Sequence, residues 1–107
     1  MRLLRHPLRP KASQNLNDHF AYIAENNLAA ALQFFDSARL MIAQLAKMPG
    51  TGSLYLVENS RLQGLRKWAV KDFRKYLIFY FEHDSDIEVV RILYATRDII
   101  SILDGEV

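Results

Sequence analysis

Cysteine is absent from this 107-residue chain. Its absence excludes disulfides, thiol nucleophiles and cysteine-built zinc or iron–sulfur centres, and it suits a reducing, cytoplasmic setting. Long apolar runs are missing too. The longest, Tyr76 to Phe81, has the length of a strand, so no membrane span is expected. The opening MRLLRHPLRPK is too interrupted by charge and proline for a secretory signal. Glycine is scarce, with four residues in all. The one stretch that could pass for a phosphate loop, PGTGSLYL, lacks the Gly-Lys-Ser/Thr ending and follows a helix pattern instead of a strand. His6, His19 and His83 fall in three different elements without metal-ligand spacing, and each reads as a surface residue. No metal or cofactor is therefore expected. Ser53, Ser60, Ser85 and Ser101 have no nucleophile-elbow context. Asp84 and Asp86 form a carboxylate pair, but a hairpin turn explains Asp-Ser-Asp without chemistry.

The length fits one domain spanning residues 1–107, able to bury one core without a metal or a cross-link. Its net charge of +2 conceals an uneven layout. Residues 61–75 carry Arg61, Arg66, Lys67, Lys71, Arg74 and Lys75 against Asp72 alone. From Tyr76 onward only Arg91 and Arg97 face an excess of acids. Segregated charge of this kind presents either a face for an acidic partner or the wetted side of a strand.

Hydrophobic spacing supplies the elements. Residues 2–8, confined by Pro7 and Pro10, read as an edge strand or extended arm. Pro10 suits the first turn of a helix, along which Ala12, Leu16, Phe20 and Ile23 recur at helical spacing, and Asn26-Asn27 is the expected stop. A second helix follows over about residues 28–48 with two stripes. One holds Leu28, Leu32, Phe35, Ile42 and Leu45, the other Phe34, Ala38, Met41, Leu45 and Met48. Two stripes predict two neighbours, the first helix and a sheet. Pro49 to Gly52 ends it, and residues 53–63 read as a loop with some apolar content. Three strands follow. Residues 66–71 alternate, with Trp68 and Val70 opposite Lys67, Ala69 and Lys71. After a turn at Asp72-Phe73-Arg74, residues 75–82 are apolar on both faces, as a central strand covered twice would be. After Asp84-Ser85-Asp86, residues 87–94 set Val90, Ile92 and Tyr94 opposite Ile87, Val89, Arg91 and Leu93. An apolar tail, Ile99 to Leu103, closes the chain. The class is α+β: an N-terminal strand, a helical hairpin, then a three-stranded antiparallel meander.

What remains for function is basic and aromatic. Arg66, Lys67, Lys71, Arg74 and Lys75 lie on or beside adjacent strands, with Arg91 on the next and Tyr76, Tyr80 and Tyr94 among them. Such a surface can hold phosphates and stack bases, or clasp an acidic peptide.

Gly64-Leu65-Arg66, Tyr76-Leu77-Ile78-Phe79-Tyr80, Ile87-Glu88-Val89-Val90-Arg91-Ile92-Leu93 and Arg97-Asp98 occur in this order, after a helical hairpin and a Pro-Gly segment. In order and spacing the chain resembles bacterial type II toxins of the RelE/ParE superfamily. The resemblance implies two activities. RelE-like members are ribosome-dependent mRNA endoribonucleases that need no metal. Their sheet carries basic groups, and a C-terminal Tyr or His transfers the proton. ParE-like members bind DNA gyrase and poison it. If this chain were a nuclease, the resemblance would place Arg74, Lys75, Arg91, Tyr94 and Arg97 in its site. After Arg97, however, the chain has neither Tyr nor His, and Leu103 stands about where the catalytic Tyr would be. The closer resemblance is to ParE. It implies a plasmid-stabilising toxin that inhibits gyrase by protein contacts and is not an enzyme. A cognate antitoxin would wrap the groove beside hairpin and sheet, and DNA would be reached only through that antitoxin. An inactive relative that only binds antitoxin has the same pattern. The expected recognition residues are Arg66, Lys67, Lys71, Arg74, Lys75 and Arg97, with Asp98 capping the terminal turn.

Overall fold

A computed structural model of the chain describes residues 8–95 and 98–106. Two helices come first: α1, Pro10–Ala24, and α2, Leu28–Lys47. Proline opens α1 as expected. The Asn pair ends it by another route than a left-handed stop. Asn27 has φ −157° and caps the next helix, its Oδ1 accepting from the Ala30 N–H at 3.0 Å. A single 3₁₀ turn, Pro49–Thr51, follows α2 and leads to β1, Ser53–Leu54. A second 3₁₀ turn, Ser60–Leu62, precedes β2 (Arg66–Val70), β3 (Phe73–Glu82), β4 (Ile87–Tyr94) and the short α3 (Ile99–Asp104). The segment read as a loop thus contains a short strand, and the antiparallel meander has four strands in the order β1-β2-β3-β4. The class is α+β, as the sequence predicts. Of the expected N-terminal strand only Leu8 is described, and it forms a parallel bridge to Val89; the rest lies outside the described residues.

Both faces of β3 are covered. Tyr76, Ile78 and Tyr80 turn toward α1 and α2, joining Leu16, Phe34, Ala38, Ile42 and Leu45 in the larger core. Leu77, Phe79 and Phe81 turn the other way, beneath Tyr55, Val57, Leu62, Leu65, Ile99 and Leu103. On α2 the inner stripe, Phe34, Ala38, Met41 and Leu45, is buried as its spacing predicts. Leu28 and Leu32, assigned to the other stripe, and Met48 are exposed.

Two irregularities in β3 pairing move side chains away from a plain alternation. Tyr80 pairs with Val89 but Phe79 pairs with Arg91, so Val90 is an extra residue in β4. An inserted residue flips the side-chain alternation beyond it. Ile92 consequently shares the helix side with Ile87 and Val89, and Leu93 joins Val90 on the opposite side, reversing the predicted partition. At the other end Val70 pairs with Phe73 while Ala69 pairs with Leu77, leaving Arg74, Lys75 and Tyr76 without partners on β2. The hairpin turn is Lys71-Asp72, one residue earlier than read, with Asp72 at φ 68°. Asp tolerates that left-handed conformation, adopted here by the second of the two turn residues.

Candidate functional site

The outer edge of β4 is closed by α1. Arg9 N–H donates to the Val89 carbonyl at 3.0 Å. Asn15 Oδ1 accepts from the Ile92 N–H at 3.1 Å and from Arg91 Nε at 2.9 Å. One helical turn on, His19 Nε2 lies 2.8 Å from the Ile92 carbonyl. A carbonyl only accepts, so the imidazole proton sits on Nε2. Burial holds the His19 pKa below its ordinary value, against the raising effect of that bond and of Asp18. His19 is therefore a half-buried edge cap, not the surface residue its position suggests. No sequence signal beyond its i, i+4 spacing from Asn15 points to this role.

Glu106 anchors the C-terminal segment. Its side chain is 6% exposed, 2.9 Å from Arg91 Nη1 and 3.5 Å from Arg9 Nη1. Arg9 also pairs with Glu88 at 2.7 Å, and His83 lies 3.0 Å from the same carboxylate. Hydrogen bonds from Arg9 and His83 push the Glu88 pKa down. Arg91, a candidate for a charged site on the sheet, is thus held between Asn15 and Glu106, with its side chain 15% exposed.

The basic stretch divides. β2 carries Arg66 to the end of the sheet where Tyr80 and Glu82 lie; its guanidinium donates to the Gly52 carbonyl at 2.5 Å and lies 4.0 Å from Glu82. Lys67 places its ammonium 5.5 Å from the centre of the Tyr55 ring, on the face away from the helices. Lys71, Arg74 and Lys75 gather at the opposite end. All three are exposed, and none forms an ion pair among the described residues. Arg97 lies outside the described residues. Asp98 stands at the N-cap of α3 but its side chain makes no capping bond, contrary to the expected role.

Around Lys71 and Arg74 runs a groove between α2 and β2. Its two adjoining hollows, of about 230 and 310 Å³, share Met41, Gln44 and Trp68. Lys47 stands on its rim, and Trp68, which alternation placed with the core residue Val70, is 40% exposed within it. β1 pairs only with Arg66 and Lys67, so no described strand covers the outer edge of β2 from Trp68 to Val70. Gly52 lies toward the other end of the groove, next to Thr51 of the first hollow. It accepts a close approach by Tyr80, whose hydroxyl receives the Gly52 N–H at 2.9 Å and donates to the Pro49 carbonyl at 2.6 Å. A Cβ at Gly52 would collide with that hydroxyl and with the Lys67 carbonyl. Tyr80, expected to be buried, is fully so.

On the other side of Arg74 lies a cavity of about 600 Å³, lined by His19, Tyr22, Phe73, Arg74, Lys75, Tyr76 and Tyr94. His19 and Tyr22, which the sequence reading missed, come from α1. Leu103, where a nuclease would need its acid–base residue, is fully buried in the smaller core. Among the described residues no three His, Asp or Glu side chains converge as metal ligands, and no helix is long and apolar enough to cross a membrane.

A helical hairpin over a four-stranded antiparallel sheet is also the fold of a chain from the chromosomal ParDE toxin–antitoxin system of P. aeruginosa. That chain superposes with a TM-score of 0.68 at 15% identity, over 90% of this chain and 100% of its own. The likeness establishes the architecture. Membership comes from the sequence: the profile for the ParE toxin of type II toxin–antitoxin systems, parDE, matches residues 8–99, and the chain belongs to this family. No curated protein sequence matches it significantly.

Proposed function

We propose that the protein is the toxin of a type II module, inhibiting DNA gyrase through protein contacts and neutralised by a cognate antitoxin. Membership in the ParE family supports the class. The observation carrying the choice of a binding toxin over a ribosome-dependent nuclease is the fate of two positions, Arg91 and Leu103, although Arg74, Lys75 and Tyr94 stay exposed. Arg91 is committed to Asn15 and Glu106, and Leu103 fills the core where an acid–base side chain would be needed. Transition-state stabilisation requires groups aimed at developing charge, and a guanidinium already neutralised by a buried carboxylate is not available for it.

The antitoxin's seat is the α2/β2 groove. An open strand edge, an exposed Trp and methionine floor, and the cations Lys47, Lys71 and Arg74, none of them in an ion pair among the described residues, suit an extended segment that alternates apolar and acidic residues. By the family resemblance Arg97 joins this recognition set, whereas Arg66 and Lys67 stand apart from it.

Pulse labelling after inducing the chain alone tests the target. DNA synthesis should stop before protein synthesis; the reverse order would make the chain a translation inhibitor. For the seat, the paired change Lys71→Glu with Arg74→Glu should weaken antitoxin binding at least about tenfold while leaving the thermal melt unchanged. Undiminished binding would move the seat elsewhere.

A further inference from the structure

The geometry points to a second binding site, on the far side of Arg74 from the groove: the cavity between α1 and the bulged start of β3 takes a nucleoside phosphate. Its seven described lining residues include two cations, four aromatic rings besides the His19 imidazole, and no carboxylate. Arg74 and Lys75 are adjacent and exposed, and neither pairs with an acid among the described residues. The register shift produces this arrangement, because residues 74–76 leave the β2 ladder while Tyr76 still pairs with Tyr94. Two neighbouring cations without a counter-charge are a phosphate's complement.

The rings supply the second half of the recognition. Tyr76 is fixed edge-on between Tyr94, with centroids 5.0 Å apart, and His19, 4.8 Å away. Tyr22 and Tyr94 instead keep exposed ring surface at the rim. Flat, solvent-facing rings above a positive floor suit a planar base attached to a phosphate. None of the three phenol hydroxyls bonds to the described chain, and those of the exposed Tyr22 and Tyr94 are open to ribose or base.

A peptide fits less well, because the nearby backbone is already occupied. The Ile92 N–H is taken by Asn15, the Ile92 carbonyl by His19, and the Lys75 carbonyl by the Ala95 N–H at 2.6 Å. A strand cannot add there, which leaves recognition to side chains. A volume of about 600 Å³ falls within the roughly 300–1,000 Å³ of small-ligand sites.

Calorimetric titration of the full chain with ADP, with adenosine and pyrophosphate as separate probes, tests this. ADP should saturate one site per chain and bind at least about tenfold tighter than either fragment. Arg74→Ala with Lys75→Ala should weaken ADP about tenfold without changing the thermal melt, Tyr94→Ala should do the same with a cooperative melt retained at a slightly lower temperature, and Arg61→Ala should leave binding intact. Absence of saturable ADP binding overturns the site. So does pyrophosphate binding as tightly as ADP with no effect of Tyr94→Ala, which would mean charge alone. A single-stranded tetranucleotide binding more tightly than ADP would reassign the cavity to nucleic acid and reject the nucleoside phosphate. None of these readouts depends on gyrase or antitoxin.

Discussion

The two faces of the sheet are both covered, but by different means. Over one lie two long helices, with α1 against β4 and α2 against β2. Over the other lie the irregular segment from Tyr55 to Leu65 and the six-residue α3. At one corner of the helix-covered face Lys71, Arg74 and Lys75 face water and form no ion pair among the described residues, and the linings around Arg74 contain no carboxylate. The hollow on the opposite side, at the β3–β4 hairpin end, mixes Arg66 and His83 with Glu82 and Asp84. Its charge is compensated within the chain. Cation number alone therefore does not distinguish the two corners; the difference is that acids line the hollow around Arg66 and none lines those around Arg74.

Cutting into the covered faces should give the largest effects. Phe79, fully buried at the centre of the smaller core, should cost about 3–5 kcal/mol on replacement by Ala, read as a lowered urea midpoint. A native-like midpoint would mean that the second cover contributes little. Glu106→Gln removes the charge shared by Arg91 and Arg9 and should cost about 1.5–3 kcal/mol. Hydrogen exchange at Ile102 and Leu103 should accelerate first; uniform exchange would show that α3 is held by packing alone. Tyr80→Phe strands the Gly52 N–H and Pro49 carbonyl on the helix side and should cost about 1–3 kcal/mol. An unchanged melt would indicate that water replaces the hydroxyl.

The smallest effect concerns pH. The folded-state pKa of His19 lies below its ordinary 6.5, so the unfolded chain takes up the proton first. The contribution of His19 is complete above that value and is lost as pH falls toward the folded pKa. His19→Gln should flatten the decline in melting temperature as pH drops below 6.5. Glu88 follows the same sign in a more acidic window: with its pKa depressed from 4.5, its contribution is present above that value and disappears as pH falls through the folded one. Equal slopes with and without His19 would mean that its burial does not disfavour the protonated ring.

Much of the fold was legible in local pattern. Helical spacing gave α1 and the inner stripe of α2, and unbroken apolarity identified β3 as the strand covered twice. The family resemblance rests on the same order of elements. The candidate site was legible only in part. Lys71, Arg74 and Lys75 stood out as charge, but nothing in the sequence separated them from Arg66 and Lys67, because adjacency in a strand says nothing about which end of the sheet holds acids. Arg91 looked free until Asn15 and Glu106, distant in sequence, were brought against it.

Propensity and periodicity act over a few residues, and they sufficed for the two long helices, for β2 to β4 and for the class, but not for the short β1. Tertiary structure alone decided that Val90 is an extra residue, that His19 closes an edge, and that Tyr22 meets Arg74 across a cavity. Each depends on the partner that another element supplies, and a register shift of one residue is enough to turn a side chain from one face to the other.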